Sequence, residues 1–262
     1  MKKIPQLGIG TRQLEWDECA YVVQSGLEMW YTHIDTAERY WNELFVGQGI
    51  RASGVERDSF RLTTKIWIDN YEGLVDAFHE SLERLQVAYV DLLLLHRPTT
   101  LVQHEKCFDE LKQLQVQGKI KHFGISNFTV AQMQHAWEYT KGAIFTNQIE
   151  YHATLSQEQV KWFCENRNMV VTAYSPLGHG NLLKNQVLLE IAEKHGVSVA
   201  QVCIAWLLQE GVVVIPKART VDKLKDNFEA QHLILDVEDL KNIALLPKDH
   251  RYIDPPFAPE WD

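Results

Sequence analysis

The sequence is poor in cysteine, and its four cysteines are far apart in the chain. They match no spacing of metal ligands, so no cysteine-based metal site is expected. Cys107, Cys164 and Cys203 lie on the apolar faces of predicted helices, where a free thiol behaves as a small hydrophobic group. We therefore expect buried, unreactive thiols.

The sequence also lacks long apolar runs and any excess of positive charge. No run approaches the roughly 20 residues that cross a bilayer, and Lys2 and Lys3 are not followed by the apolar stretch of a secretion signal. With 26 Lys and Arg against 35 Asp and Glu, the net charge of −9 argues against a protein that binds nucleic acid by neutralising phosphate. We expect a cytoplasmic protein that binds neither membrane nor nucleic acid.

Several common catalytic and nucleotide-binding motifs are absent. There is no Walker A loop, no GxSxG and no HExxH, and the eleven histidines form no pair with metal-ligand spacing and a supporting carboxylate. The segment from Gly47 to Ala52 matches a dinucleotide fingerprint, but it falls inside a predicted helix that begins near Asn42. The fingerprint must join a strand to a helix, so we do not interpret this segment as a binding site.

What the sequence does contain is a regular alternation of strand-like and helix-like segments. Most of the strand-like segments show little polar alternation, which is typical of parallel strands covered on both faces. Seven are clear, at residues 31–35, 60–67, 90–96, 120–126, 144–149, 169–174 and 212–216. A weaker eighth lies near 230–233, followed by a helix over 237–245.

The helices between the strands are marked by apolar stripes and by end signals. Capping boxes are predicted at Thr129 with Gln132, Ser156 with Gln159, and Ser198 with Gln201, and Gly118 is predicted to end a helix. Repeated βα units indicate either a closed (β/α)8 barrel or an open doubly wound sheet. No linker divides the chain, so we predict one domain over residues 1–262.

Three ionisable residues lie at the carboxyl ends of successive strands, namely Asp35, Lys65 and His96. Each alone also fits a structural role, as a helix cap, a surface lysine or a core histidine. In a parallel barrel these strand ends meet at one rim, where catalytic groups lie. Together they favour a site.

The segments that contain these residues resemble the motifs of a known family, the aldo-keto reductases. Residues 34–43, Ile-Asp-Thr-Ala-Glu-Arg-Tyr-Trp-Asn-Glu, are similar to the family signature with the catalytic aspartate and tyrosine. Thr64-Lys65-Ile66-Trp67 resembles its lysine segment and Leu94-Leu95-His96-Arg97-Pro98 its histidine segment. Further motifs follow in the family's order from Gly8 to Asn227.

The resemblance implies a (β/α)8 barrel, an extended NADPH and the reduction of a small aldehyde or ketone. Tyr40 would be the general acid, Lys65 the cation beside it and Asp35 the partner of that cation. His96 would orient the substrate carbonyl. Since the cofactor supplies the reducing chemistry, no metal is expected.

The resemblance also assigns cofactor contacts. Ser126, Asn127 and Gln148 match the positions that bind the nicotinamide carboxamide, and Tyr174 matches the residue stacked on its ring. The full set of expected cofactor residues is Gly10, Thr11, Asp35, Ser126, Asn127, Gln148, Tyr174, Ser175, Leu177, Gly178, Lys217, Ala218, Arg219, Lys223, Asp226 and Asn227. Ser175, Leu177 and Gly178 are expected along the pyrophosphate, and Asp226 and Asn227 at the adenine.

Two departures from the family pattern bear on specificity. Ala218 and Lys223 stand where serine and arginine are usual, but the cations Lys217, Arg219 and Lys223 still favour the additional phosphate of NADPH over NADH. Arg97 stands where the family often has tryptophan. It binds a substrate carboxylate if it faces the pocket and has no bearing on specificity if it faces outward.

Trp41 and Trp67 are expected as aromatic walls of the substrate pocket, together with His96 and Arg97. Two other readings remain open: a barrel that binds NADP(H) as a sensor or partner subunit, and a metal-dependent hydrolase using His33, Asp35 and His96. The intact catalytic set argues against the first and the absence of further ligands against the second. We expect a monomeric enzyme.

Overall fold

The computed structural model describes residues 4–100 and 104–262. Eight strands form one parallel sheet whose spatial order is the order of the chain. They are β1 (Ile9–Gly10), β2 (His33–Asp35), β3 (Arg61–Ile66), β4 (Val90–Leu95), β5 (Ile120–Ser126), β6 (Ile144–Glu150), β7 (Val170–Tyr174) and β8 (Val213–Val214). The seven clear strand-like segments of the sequence correspond to β2 to β8.

The sheet closes on itself between its last strand and the start of the chain. Leu7 forms a parallel bridge with Val214. The N–H of Gly8 donates to the carbonyl of Val214 at 2.9 Å, and the N–H of Gly10 donates to that of Pro216 at 3.0 Å. This closure confirms the (β/α)8 barrel and excludes the open doubly wound sheet.

Helices cover the outside of the barrel. They are α1 (Trp16–Glu28), α2 (Glu43–Ser53), α3 (Leu74–Leu85), α4 (His104–Val116), α5 (Val130–Tyr139), α6 (Glu158–Glu165), α7 (Gln186–His195), α8 (Val199–Gln209), α9 (Val221–Glu229) and α10 (Val237–Ala244). Their apolar residues, spaced three and four apart, face the strands: Leu74, Phe78, Leu82 and Leu85 are the buried stripe of α3. Within the described part of the chain, no helix has the length and apolar character needed to span a bilayer.

Most of the predicted helix-end signals are confirmed. Thr129 with Gln132 and Ser198 with Gln201 form complete capping boxes at the starts of α5 and α8. Gly118 follows α4 with a φ of 71°, in the left-handed region that favours glycine.

The capping box predicted at Ser156 and Gln159 is wrong, because α6 begins at Glu158 without a side-chain cap. The N–H of Ser156 instead donates to the carbonyl of Lys248 at 2.8 Å. The side chain of Gln157 donates to the carbonyl of Glu150, at 2.7 Å. Tertiary hydrogen bonds have replaced the local cap.

The eighth strand was also placed wrongly. Residues 230–233 hold a short 3-10 helix, Ala230–His232, and the missing strand is β1 at the start of the chain. Strand β1 is as short as β8, but it is not part of a run of apolar residues, so no strand-like pattern marks it. It is a strand because Ile9 and Gly10 pair with Ile34 and Asp35 of β2.

The glycines of the rejected fingerprint have a packing role inside α2. A Cβ on Gly47 would lie 2.4 Å from the carbonyl oxygen of Leu85 in α3. A Cβ on Gly49 would lie equally close, 2.4 Å, to that of Ala20 in α1. These glycines therefore let α2 pack closely against both neighbouring helices, and the segment does not join a strand to a helix.

All four cysteines are free and buried, as expected for three of them. Burial raises the pKa of the thiols of Cys19, Cys164 and Cys203 to about 12 and that of Cys107 to about 11. Thiols with such raised pKa values carry almost no thiolate at neutral pH, so they are poor nucleophiles.

The proline-rich tail lies over the carboxyl-terminal rim of the barrel. The rings of Phe257 and Trp67 meet edge to face, with centroids 6.1 Å apart. Trp261 donates from its indole N–H to Asp254 at 2.8 Å and lies under the guanidinium of Arg251. The tail therefore adds one wall to the cavity at this rim.

Candidate active site

The carboxyl ends of the strands surround a cavity of about 720 Å³. Asp35 ends β2, Lys65 is the penultimate residue of β3 and His96 directly follows β4. Asp35, Tyr40 and His96 line this cavity. The structure thus brings the sequence-predicted residues together at one rim.

Lys65 and Asp35 form a buried ion pair beneath the cavity. Their side chains are 0% and 2% exposed. The ammonium of Lys65 also donates to the carbonyl oxygen of Thr36 at 2.7 Å, and Gln148 donates to the second oxygen of Asp35, also at 2.7 Å. Burial alone would lower the pKa of Lys65, but Asp35 and Tyr40 raise it above its usual value. Lys65 is therefore a permanent cation at neutral pH.

Tyr40 joins this ion pair to the cavity. It ends a short 3-10 turn, Glu38–Tyr40, that follows β2. The hydroxyl oxygen of Tyr40 lies 3.5 Å from Nζ of Lys65. An ammonium at this distance favours the negative charge left when the hydroxyl gives up its proton.

Glu38 fixes the turn that carries Tyr40. Its carboxylate accepts a hydrogen bond from the N–H of Trp67 at 2.9 Å and another from the side chain of Asn70. The turn after β2 is thereby linked to the loop after β3. Sequence reasoning did not single out Glu38, although it lies two residues from Tyr40.

His96 is a neutral imidazole beside Tyr40, with ring centroids 5.7 Å apart. Burial lowers its pKa well below the usual value, and the nearby cations of Lys65 and Arg97 lower it further. Its Nδ1 is buried and has no hydrogen-bond partner among the described residues. We therefore assign the single N–H of the ring to Nε2, where it can donate to an oxygen in the cavity.

Four predicted nicotinamide contacts form one hydrogen-bonded group on the cavity wall. Ser126 donates to the carbonyl of Gln148 at 2.7 Å, and Asn127 donates to Ser126 at 2.9 Å. Tyr174 donates from its hydroxyl to Asn127 at 2.6 Å. All four residues line the cavity, so polar groups and an aromatic ring are fixed side by side.

The other end of the cavity is strongly basic. Lys217, Arg219 and Lys223 line it. Lys217 donates to Gln13 at 2.9 Å and Arg219 pairs with Glu18 at 2.7 Å. Burial lowers the pKa of Lys217, and the neighbouring cations Arg219 and Arg12 lower it further. The positive charges of these side chains repel one another, and a bound phosphate would offset that repulsion. This end of the cavity therefore fits a phosphorylated cofactor.

Six predicted site residues do not line the cavity: Lys65, which lies beneath it, and Trp41, Gly178, Ala218, Asp226 and Asn227. Trp41 points outward and is 76% exposed, and Ala218 is buried. Asp226 accepts a hydrogen bond from Ser198 at 2.6 Å. The other residues that the sequence predicted for the site do line the cavity, including Gly10, Thr11, Trp67, Arg97, Ser175 and Leu177.

The structure also adds lining residues that sequence reasoning missed, including Arg12, Arg39, His179, Ile253 and Phe257. Arg12 follows the Gly10-Thr11 pair and Arg39 precedes Tyr40, so adjacency to motif residues could have found them. Ile253 and Phe257 carry no such signal, because only the path of the tail brings them to the rim.

No group of three or more His, Cys, Asp or Glu side chains in residues 4–100 and 104–262 could hold a metal ion. In particular, His33, Asp35 and His96 do not form such a group. Burial lowers the pKa of His33 to about 4, and its ring contacts the hydroxyl of Thr63 at 3.2 Å. The geometry therefore does not favour the metal-dependent hydrolase.

The comparisons with known proteins agree with this geometry. Residues 6–246 match the model of the Aldo/keto reductase family. Methylglyoxal reductase DkgB of Escherichia coli O157:H7 is 40% identical over 99% of both chains. Glyoxal reductase of Bacillus subtilis (strain 168) is 38% identical over 95% of this chain and 91% of its own.

A solved structure is also closely similar. A protein provisionally identified as a 2,5-diketo-D-gluconic acid reductase B superposes with a TM-score of 0.96 at 36% identity. The match covers 99% of this chain and 94% of the other. At this identity and coverage, the two proteins share the barrel fold.

Proposed function

This chain belongs to the aldo-keto reductase family, and on that premise we propose that it reduces small carbonyl compounds to alcohols with NADPH. The substrates we propose are aldehydes, α-dicarbonyls, keto sugars and keto acids. The observation that carries the proposal is the Tyr40 hydroxyl in the cavity, 3.5 Å from the buried ammonium of Lys65.

In this proposal, different residues of the chain orient the carbonyl oxygen, protonate it and stabilise the charge that results. NADPH, when bound, supplies the hydride for the carbonyl carbon. The N–H of His96 donates to the carbonyl oxygen and orients it, and Tyr40 gives that oxygen its proton. Lys65 stabilises the negative charge left on Tyr40. Asp35 and Gln148 hold Lys65 in place through the buried contacts described above.

The cofactor would lie along the cavity from the hydrogen-bonded group to the basic end. Ser126, Asn127 and Gln148 would bind the carboxamide, and Tyr174 would stack on the nicotinamide ring. Ser175, Leu177 and Gly178 would follow the pyrophosphate. Lys217, Arg219 and Lys223 would bind the phosphate that distinguishes NADPH from NADH, which the crowding of cations there supports.

The names of the relatives support small dicarbonyls as substrates. Two relatives at 40% and 38% identity are named methylglyoxal reductase and glyoxal reductase. The family membership itself supports carbonyl reduction more broadly. We therefore propose methylglyoxal and glyoxal as the first compounds to assay.

The test is the rate of NADPH oxidation with methylglyoxal by the wild type and by Tyr40→Phe. Loss of the general acid should lower kcat by about 10²- to 10⁴-fold. The Kd for NADPH, measured by quenching of tryptophan fluorescence, should not change. Equal turnover by Tyr40→Phe would contradict the assignment of the acid, and no turnover of any small carbonyl by the wild type would contradict the function.

A further inference from the structure

We propose that Arg97 binds a carboxylate on the substrate, so that the enzyme prefers carbonyl compounds bearing a carboxylate over neutral ones of the same size. This inference rests on the proposed function, and it names the substrate class for the same site. It starts from the position of the side chain, which the sequence left open: Arg97 lines the cavity.

Arg97 is a buried cation without an internal counter-ion. The residue is 7% exposed. Its Nη1 is buried and has no hydrogen-bond partner among the described residues. No carboxylate in the described part of the chain forms a salt bridge with it. A buried guanidinium normally has acceptors for its N–H groups, so this side chain is arranged for an acceptor from outside the protein.

The backbone of Arg97 is fixed, which keeps the side chain at the rim. The hydroxyl of the fully buried Tyr71 donates to the carbonyl oxygen of Arg97 at 2.7 Å and accepts from its N–H at 3.2 Å. Arg97 also directly follows His96, the residue proposed to orient the carbonyl. The cation therefore has a defined place next to the reacting group.

Aromatic rings frame the space in front of Arg97 and His96. The guanidinium carbon lies 6.0 Å from the centre of the Phe257 ring, and the Trp67 ring lies 5.1 Å from that of His96. The rings of Phe257 and Trp67 meet edge to face, with centroids 6.1 Å apart, so the four side chains surround one space. A small molecule with its carbonyl at His96 would place a nearby carboxylate toward Arg97. The planar guanidinium suits a carboxylate because both of its oxygens can be bound at once.

The charge of the cavity differs from that of the protein as a whole. The chain carries a net charge of −9. Among the described residues that line the cavity, Asp35 is the carboxylate, and it is already paired with Lys65. Arg12 and Arg39 line the cavity as well but are exposed, so water screens their charges. Among the described residues, Arg97 is the buried cation that lines the cavity on the side proposed for the substrate.

The test compares two pairs of aldehydes in which one member has a carboxylate where the other has a methyl group. The pairs are succinic semialdehyde with butanal, and glyoxylate with acetaldehyde. Rates of NADPH oxidation give kcat/KM for the wild type and for Arg97→Met, Arg97→Lys and Arg39→Gln. In the wild type at least one acid should exceed its neutral partner by about 10-fold or more. In Arg97→Met that ratio should fall by about 10- to 100-fold, mainly through KM, because a charge-assisted hydrogen bond is lost.

The two further variants separate a specific contact from a general attraction. Arg97→Lys keeps the charge and should retain part of the preference, whereas Arg39→Gln removes an exposed cation and should change the ratio less than about 3-fold. Equal losses in Arg39→Gln and Arg97→Met would contradict a dedicated carboxylate site.

A second readout does not depend on turnover of the acid. Succinate should inhibit butanal reduction by the wild type competitively, and its inhibition constant should rise about 10-fold or more in Arg97→Met. If the wild type reduces butanal but shows neither a preference for an acid nor inhibition by succinate, Arg97 is not a carboxylate site and the proposed function stands. If neither the acids nor the neutral aldehydes are reduced, the proposed function itself fails.

Discussion

The two ends of the cavity hold their charges in opposite ways. At the end proposed for the reaction, Lys65 and Asp35 are 0% and 2% exposed, and fixed neighbours satisfy both. At the basic end, Arg219 is 49% exposed and its partner Glu18 is 32% exposed. The electrostatic interaction between buried charges is strong, and the side chains that carry them are held in one position. Exposed charges are screened by water, and their side chains move more freely. The first arrangement suits bond making and the second suits the capture of a charged ligand.

The largest effect should come from breaking the buried pair with Lys65→Met. This change leaves the carboxylate of Asp35 buried without its cation, and such losses cost about 3–5 kcal/mol of the free energy of unfolding. It also removes the charge beside Tyr40, so kcat should fall by at least about 100-fold. Urea denaturation at pH 7 and NADPH oxidation with methylglyoxal measure the two effects.

A second variant separates stability from catalysis at the same place. In Asp35→Asn/Lys65→Met the unpaired charge is removed as well, so much of the lost stability should return while kcat stays low. Recovery of activity together with stability would show that the pair has a structural role only.

An intermediate effect is expected from Glu150→Gln, which loosens the tail at the rim. The carboxylate of Glu150 is fully buried and accepts from the N–H groups of Tyr252 at 2.8 Å and Ile253 at 2.9 Å. It also contacts the His152 ring at 3.1 Å. A glutamine amide cannot accept all three bonds, so we expect a loss of about 1.5–3 kcal/mol and a higher KM, since Ile253 and Phe257 line the cavity.

The pH dependence gives a further check on Glu150. Burial alone would raise its pKa, but the bonds from His152, Tyr252 and Ile253 lower it below its usual value. A lowered pKa contributes stability that is present above the ordinary glutamate pKa of about 4.3 and is lost as the pH falls through the lowered value.

The stability gap between wild type and Glu150→Gln should therefore be constant from about pH 7 to 5 and narrow below about pH 4. Glu165→Gln is a matched control, because this carboxylate is 60% exposed on α6. If Glu165→Gln lost as much stability as Glu150→Gln, the proposed role of Glu150 in anchoring the tail would be contradicted.

The smallest effect is expected at the basic end. Changing Lys217, Arg219 and Lys223 together to glutamine should raise the Kd for NADPH by about 10-fold and leave kcat nearly unchanged. The Kd for NADH should change by less than about 2-fold. Because exposed charges are screened, added NaCl should weaken NADPH binding in the wild type more than in the variant.

The control for this prediction is a triple change of Lys106, Lys112 and Lys121 to glutamine. It alters the net charge by the same amount, away from the cavity, and should leave both Kd values unchanged. Equal weakening of NADPH and NADH by the cavity variant would contradict a site for the additional phosphate.

Sequence patterns predicted the elements that depend on local signals. Strands β2 to β8 lie in segments of strand-like composition, and the polar residues at their ends, such as Asp35 and His96, belong to motifs with recognisable spacing. Strand β1 was missed because its two residues lie in no strand-like segment, and the false capping box at Ser156 shows how tertiary hydrogen bonds override a local preference. Glu38 was missed because its partners lie on the loop after the next strand.

By itself, the sequence determined the alternation of strands and helices, the family resemblance and the identity of the ionisable residues at the strand ends. These follow from short-range periodicity and from motifs that are contiguous in the chain. Only the tertiary structure decided that the sheet closes, that the tail reaches the rim and that Arg97 lies in the cavity while Trp41 faces outward. Each of these depends on contacts between residues that are far apart in the sequence. When the barrel closes, those contacts decide which side chains of the rim loops face the cavity and which face solvent.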